Sequence, residues 1–140
     1  MKKGLRIGTE AFVEDVVSSD MRPSFDGRIV HDVYGTVAMV YHMEWAARRV
    51  ILPYLEDHEE GIGTGVEVQH LQPAPVGAAI RAQAVCTAIE GNLILCNVTV
   101  WHGERQLGAG VVKQRILERQ TLHNRFPEMW TEDTGMRDYG

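Results

Sequence analysis

Residues 36–55 read Thr-Val-Ala-Met-Val-Tyr-His-Met-Glu-Trp-Ala-Ala-Arg-Arg-Val-Ile-Leu-Pro-Tyr-Leu, and this stretch decides the fold. Its apolar residues recur at helical spacing, and Pro53 breaks the run only near its end. One long helix of about 28 Å is therefore predicted from Thr36 to Leu55. With residues placed at about 100° steps from Val37, polar His42 and Arg49 fall together, and nearly everything from Met39 round through Val40, Ile51 and Leu55 is apolar. Such a helix is expected to be wrapped by other elements rather than laid on a surface.

On the N-terminal side of this helix, alternation over Thr9 to Val17 predicts a first strand, and Pro23, Asp26 and Gly27 mark a loop. On its C-terminal side, acidic Glu56 to Glu60 and the glycines Gly61, Gly63 and Gly65 mark the exit. Four strand-like stretches follow: Thr64 to Gln72, Ile80 to Ile89, Leu93 to His102, and Gln106 to Leu117. Turn residues part them (Pro73 with Pro75 and Gly77, Glu90 to Asn92, Gly103 with Glu104), an order that suggests an antiparallel meander. Glu118 to Arg125 is predicted as a short helix and Pro127 to Gly140 as an adaptable tail. A single helix covering one face of a curved antiparallel sheet is an α+β architecture.

A chain of 140 residues fits a single domain, 1–140, large enough to bury a real core. With 44% apolar and 24% charged residues, disorder and low complexity are excluded. Fourteen Lys and Arg against nineteen Asp and Glu give a net charge of -5 and no basic stripe, so nucleic acid is not expected as a partner. Uncharged stretches fall short of the roughly 18 residues of a membrane span. Lys2 and Lys3 are followed by Arg6 and Glu10 rather than an apolar signal region, so a cytoplasmic location is expected. If Glu90, Gly91 and Asn92 form a three-residue hairpin loop, the two cysteines, Cys86 and Cys96, face each other. In a reducing compartment they read as small buried thiols.

Three residues carry candidate chemistry. Glu44 falls at the centre of the apolar arc of the helix, where a buried carboxylate would have a raised pKa and could act as a base. An ion pair with Arg48, four residues on, explains it equally well. His70 ends an apolar face formed with Val66 and Val68, either as a satisfied rim residue or as a near-neutral proton shuttle. Thr36 opens the helix after Gly35, either as an N-cap or as a hydroxyl at the positive helix end where a polarised carbonyl would bind. No HExxH or GxSxG is present, and the three glycines precede a strand rather than link strand to helix. Trp45, Trp101 and Trp130 read as core or interface residues; His31, His42 and Asp32 read as surface residues.

The segment from Tyr34 to Gly77 resembles the fluoroacetyl-CoA thioesterase family of hotdog-fold proteins. The resemblance rests on Thr36-Val-Ala-Met-Val-Tyr-His-Met-Glu44-Trp-Ala, Pro53-Tyr-Leu, Gly63-Thr64, Val68-Gln-His70 and Pro75-Val-Gly, and extends over a core of about 6–117, leaving a tail of 118–140. It implies that Thr36, Glu44 and His70 are catalytic and that Gly63 contacts the acyl carbonyl through its backbone. Where the family has an arginine on the last strand, this chain has Gln114 with Arg115 beside it, the two candidates for that substrate contact. The lid segment before the threonine is shorter here, with Ile29 to Val33, so the implied substrate is a small or medium acyl-CoA without fluorine selectivity.

The resemblance also implies a homodimer or a tetramer, active sites at the dimer interface, and no metal or prosthetic group. Two other functions fit the same residues: a non-catalytic dimer that binds acyl-CoA or another small ligand, and an enoyl-CoA hydratase using Asp32.

Overall fold

The computed structural model describes residues 1–129; the remainder of the expected tail, including Trp130, lies outside the described residues. Strand β1 (Glu10–Val16) leads through a short 3-10 turn to a small hairpin, β2 (Ser24–Phe25) and β3 (Arg28–Ile29). Helix α1 (Thr36–Ile51) follows and ends in a 3-10 turn over Leu52–Tyr54, where Pro53 can no longer continue the ladder. Strands β4 (Glu59–His70), β5 (Ala79–Glu90), β6 (Leu93–His102) and β7 (Arg105–Glu118) come next, then helix α2 (Arg119–Arg125). The expected element types hold, but β4 begins at Glu59, so the glycines of the supposed exit are strand residues.

The five long strands form one antiparallel sheet in the order β1-β5-β6-β7-β4. Only β5, β6 and β7 make a meander. β4 does not pair with its successor; it crosses to the far edge and pairs with β7. The expected four-strand meander is thus corrected: Pro73, Pro75 and Gly77 carry the chain across the sheet rather than round a hairpin.

The β5–β6 hairpin also differs from expectation. Its loop is the two residues Gly91 and Asn92, with Gly91 at φ 63, and a bulge between Cys86 and Ala88 restores the register that sets Cys86 opposite Cys96. Both cysteines are buried, unbridged thiols. In the small hairpin, Asp26 and Gly27 both take positive φ, the pattern of a type I′ turn.

The core lies between α1 and the sheet. Met39, Met43, Ala46, Ala47 and Val50 face inward and are all but inaccessible to water. Full burial of each methionine stabilises the fold by about 1.5–3 kcal/mol. The helix descends onto β7 where Gly108 and Gly110 remove side chains: a Cβ at Gly108 would stand 2.4 Å from the Met39 sulfur, and one at Gly110 would stand 2.6 Å from the Met43 methyl.

The helix is not wrapped within one chain. Val37 is 84% exposed, Tyr41 58%, and Glu44 is exposed beside them, while His42, read as a surface residue, is completely buried. The apolar arc therefore consists of two faces, one on the sheet and one open, and Glu44 belongs to the open one. Among the described residues, no helix is long and apolar enough to cross a membrane.

Candidate active site

Thr36 is the first residue of α1, and Gly35 takes the N-cap position without any side-chain cap. The N-cap role expected of Thr36 is thereby corrected. Gly35 is required there because the segment before the small hairpin crosses the helix start, and a Cβ would lie 2.9 Å from the Met21 carbonyl oxygen. Relieved of capping, the Thr36 Oγ1 meets Nδ1 of His70 at 2.9 Å. The other ring nitrogen, His70 Nε2, is buried and makes no hydrogen bond among the described residues. The pair lines a cleft of about 620 Å³ whose walls include Met21, Phe25, Val33, Tyr34, Val37 and Tyr41. The cleft lies against the N-terminal end of α1, where amide hydrogens and the helix dipole favour a polarised carbonyl oxygen.

Glu44 lines a neighbouring cleft of about 360 Å³ with Tyr41, Trp45, Arg48, Gly63 and Gln114. A Cβ on Gly63 would stand 3.1 Å from Glu44 Oε2, so the carboxylate rests against this glycine. Glu44 follows Thr36 by two turns, about 12 Å along the helix axis. Tyr41 lines both clefts. One chain therefore joins Thr36 to His70 and Glu44 to Gly63, in two adjoining half-sites. The expected burial of Glu44 does not occur: its carboxylate reaches only the edge strand β4 at Gly63, and the residue stays exposed. Arg48 donates to the Gly61 carbonyl oxygen at 3.0 Å.

A bulge in β4 puts these residues on one side of the sheet. Pairing with β7 shifts between Gly63 and Gly65, which leaves Thr64 as the extra residue. Before the bulge, Gly61 and Gly63 approach the helix; after it, Val66, Val68 and His70 do. Gly63 pairs with Gln114, which is buried and donates to the Ala47 carbonyl oxygen at 3.0 Å. Arg115 points to the opposite side, exposed, and donates to Asn92 Oδ1 at 2.8 Å. Of the two candidates for the family's arginine contact, the fold brings Gln114 to the site and directs Arg115 away from it.

Sequence reasoning missed a buried polar line beside the first cleft. His42 Nδ1 meets the Tyr34 hydroxyl at 2.6 Å, and its Nε2 meets Asp15 Oδ2 at 2.8 Å. The His42 bond holds the Asp15 carboxyl below its ordinary range, and burial pushes the Tyr34 phenol well above its own. The available signal was local: His42 stands three residues after Met39 and four before Ala46, both apolar. Asp32, the acid that a hydratase would use, is exposed and ion-paired with Arg22 at 2.8 Å.

One long helix against a five-stranded antiparallel sheet, shared with solved members of the thioesterase superfamily, defines a hotdog thioesterase. The description of the fluoroacetyl-CoA-specific thioesterase family matches residues 17–120, and the chain belongs to that family. It is 30% identical to the fluoroacetyl-CoA thioesterase of Streptantibioticus cattleyicolor over 132 residues, covering 88% of this chain and 93% of that one.

Among solved structures, it is similar to a Thermus thermophilus hypothetical protein described as a thioesterase superfamily member. The TM-score is 0.86 at 37% identity, covering 91% of this chain and 94% of that one. It is also similar to a mutant of the fluoroacetyl-CoA-specific thioesterase solved with fluoroacetate and CoA, with a TM-score of 0.77 at 26% identity over 84% of this chain and 98% of that one. Membership in a family of thioester hydrolases favours catalysis over the purely ligand-binding alternative.

Proposed function

We propose that this protein hydrolyses the thioester of a small or medium acyl-CoA, with Thr36, His70 and Glu44 as its catalytic residues. The observation that carries the reading is the 2.9 Å contact between Thr36 Oγ1 and His70 Nδ1 in a cleft at the helix start. The thioester carbonyl would lie there, polarised by the helix end and, in a pair of chains that joins the two half-sites, by a backbone amide at the Gly63 of the second copy. Glu44 would serve as general base toward water, or as nucleophile giving a transient anhydride. His70 would orient the Thr36 hydroxyl and protonate the departing CoA thiolate. Gln114 borders the Glu44 half-site and would contact the substrate there. The scheme uses only groups of the protein itself, with no metal or prosthetic group.

The two half-sites support a homodimer as the working unit. β4 is an edge strand of the sheet, and beside it the open face of α1 presents Val37 and Tyr41 to water. A long edge strand and an exposed apolar stripe are both relieved by pairing with a second copy. Such pairing would set the Glu44 half-site of one chain beside the Thr36 and His70 half-site of the other. A cytoplasmic location fits a CoA-dependent reaction.

Free-thiol release from a panel of acyl-CoA substrates tests the reading, with the mass in solution measured alongside. Thr36→Ala, Glu44→Ala and His70→Ala are expected to reduce release; wild-type rates in all three would sink the assignment.

A further inference from the structure

The Asp15, His42 and Tyr34 line is not used by the reaction above. His42 and Tyr34 are both 0% exposed, and the neighbouring helix residues that share their burial, Met39, Met43 and Ala46, are apolar. A leucine at 42 together with a phenylalanine at 34 would fill that packing with no buried polar atom to satisfy, so packing by itself does not call for the histidine and tyrosine pair. The groups facing His42 are Asp15 from β1, Tyr34 from the segment before α1, and Tyr41 and Trp45 from α1 itself, with Arg49 lying 4.9 Å over the Trp45 ring.

The line has a direction. The Asp15 carboxylate only accepts, so His42 Nε2 carries the hydrogen of that bond. A neutral ring then presents Nδ1 as an acceptor, and the Tyr34 hydroxyl donates to it. The hydroxyl proton of Tyr34 is thereby turned toward His42. The Tyr34 ring, fixed at its far end, stands edge-on to the His70 imidazole with centroids 6.0 Å apart. Tyr34 is also tied by its backbone amide to the Ala74 carbonyl oxygen at 2.8 Å, two residues before Thr36. The line thus ends against the ring that bonds the threonine.

We propose that Asp15, His42 and Tyr34 form a positioning array for His70, clamping the Tyr34 ring against the imidazole so that Nδ1 stays on the Thr36 hydroxyl. His42 and Tyr34 are positioning residues and do not touch the thioester. The inference rests on the roles given to Thr36 and His70 in hydrolysis.

The test uses the full chain with Asp15→Asn, Tyr34→Phe, His42→Leu and His42→Asn, measuring kcat, KM, the pH profile of kcat, Tm, and the His70 ring-nitrogen resonances by NMR. Tyr34→Phe keeps the ring and removes the hydroxyl. Asp15→Asn supplies an amide donor and so favours the other His42 tautomer, as when an aspartate orients a catalytic histidine. Both are expected to lower kcat about 5- to 20-fold with KM within about twofold, and to shift the His70 resonances and the His70 limb of the profile. His42→Asn, whose amide oxygen still accepts from Tyr34, is expected to recover most of the kcat lost in His42→Leu.

Unchanged kcat, profile and His70 resonances in Tyr34→Phe and Asp15→Asn would overturn the proposal. So would a loss of activity that only tracks the folded fraction. Should His42→Leu fail to fold, these two variants carry the test. The resonance shift is read without substrate, so it fails or succeeds independently of whether Thr36→Ala and His70→Ala abolish hydrolysis.

Discussion

The Thr36 hydroxyl stands 2.9 Å from His70 Nδ1 across 34 residues of sequence, at the point where α1 begins and β4 ends. Because Gly35 rather than Thr36 takes the N-cap position, the hydroxyl is committed to the histidine and not to the helix. Removing either group should damage chemistry more than folding. Thr36→Val and His70→Ala are each expected to lower kcat about 100-fold, the scale of a lost acid–base contribution, with Tm little changed. Thiol release and a thermal melt check this together.

Gly63 should tolerate alanine structurally but not functionally. Its Cβ would stand 3.1 Å from Glu44 Oε2, close enough to push the carboxylate aside, while the exposed strand position and ordinary φ add no strain. Gly63→Ala is expected to lower kcat about tenfold while leaving the denaturant midpoint near that of wild type.

Gly110 should behave in the opposite way. A Cβ there would overlap the Glu67 carbonyl oxygen at 1.8 Å and the Met43 methyl at 2.6 Å, and a backbone atom cannot step aside as a flexible side chain does. Gly110→Ala is expected to cost roughly 2–4 kcal/mol in urea unfolding. Wild-type stability in this variant would mean that the helix does not seat as closely on β7 as described.

Acid should destabilise the fold through two carboxyls. The His42 hydrogen bond lowers Asp15; for Glu59, burial acts upward but is outweighed by the terminal ammonium of Met1 at 2.7 Å and the Glu56 amide. Each folded-state value lies below the unfolded one, so each contributes stability above the ordinary carboxylate range and loses it as pH falls through the folded value. Unfolding free energy is expected to fall below about pH 4, less steeply in Asp15→Asn and in Glu59→Gln. Denaturant titrations at pH 3 to 7 measure the slopes.

The two cysteines should be inert in the folded protein. Burial raises the Cys86 thiol and pushes Cys96 up to about 12, leaving little thiolate at neutral pH. Alkylation at pH 8 is expected to be slow in buffer and complete in denaturant; fast native labelling would contradict their burial.

Much of the fold was legible because its signals are local. Helical spacing over Thr36–Ile51 and alternation in the later strands follow from backbone periods that each segment carries alone. The placement of Glu44 and His42 was not. Val37 and Tyr41 are apolar whether they face a core or open water, so the wheel merged two faces into one arc and put Glu44 at its centre. Alternation correctly put His70 on the face of Val66 and Val68, but it is blind to the bulge at Thr64.

By itself, then, the sequence determined the α+β class and the central helix, and the family resemblance singled out Thr36, Glu44, His70 and Gly63 as candidates. Tertiary structure alone decided which of them meet. The crossing of β4 to β7 brings His70 to the helix start, and one extra residue at Thr64 puts an odd-numbered glycine and an even-numbered histidine on the same side of the sheet. Periodicity within a strand fixes only relative faces, whereas strand pairing and bulges depend on contacts between distant segments, which no local pattern records.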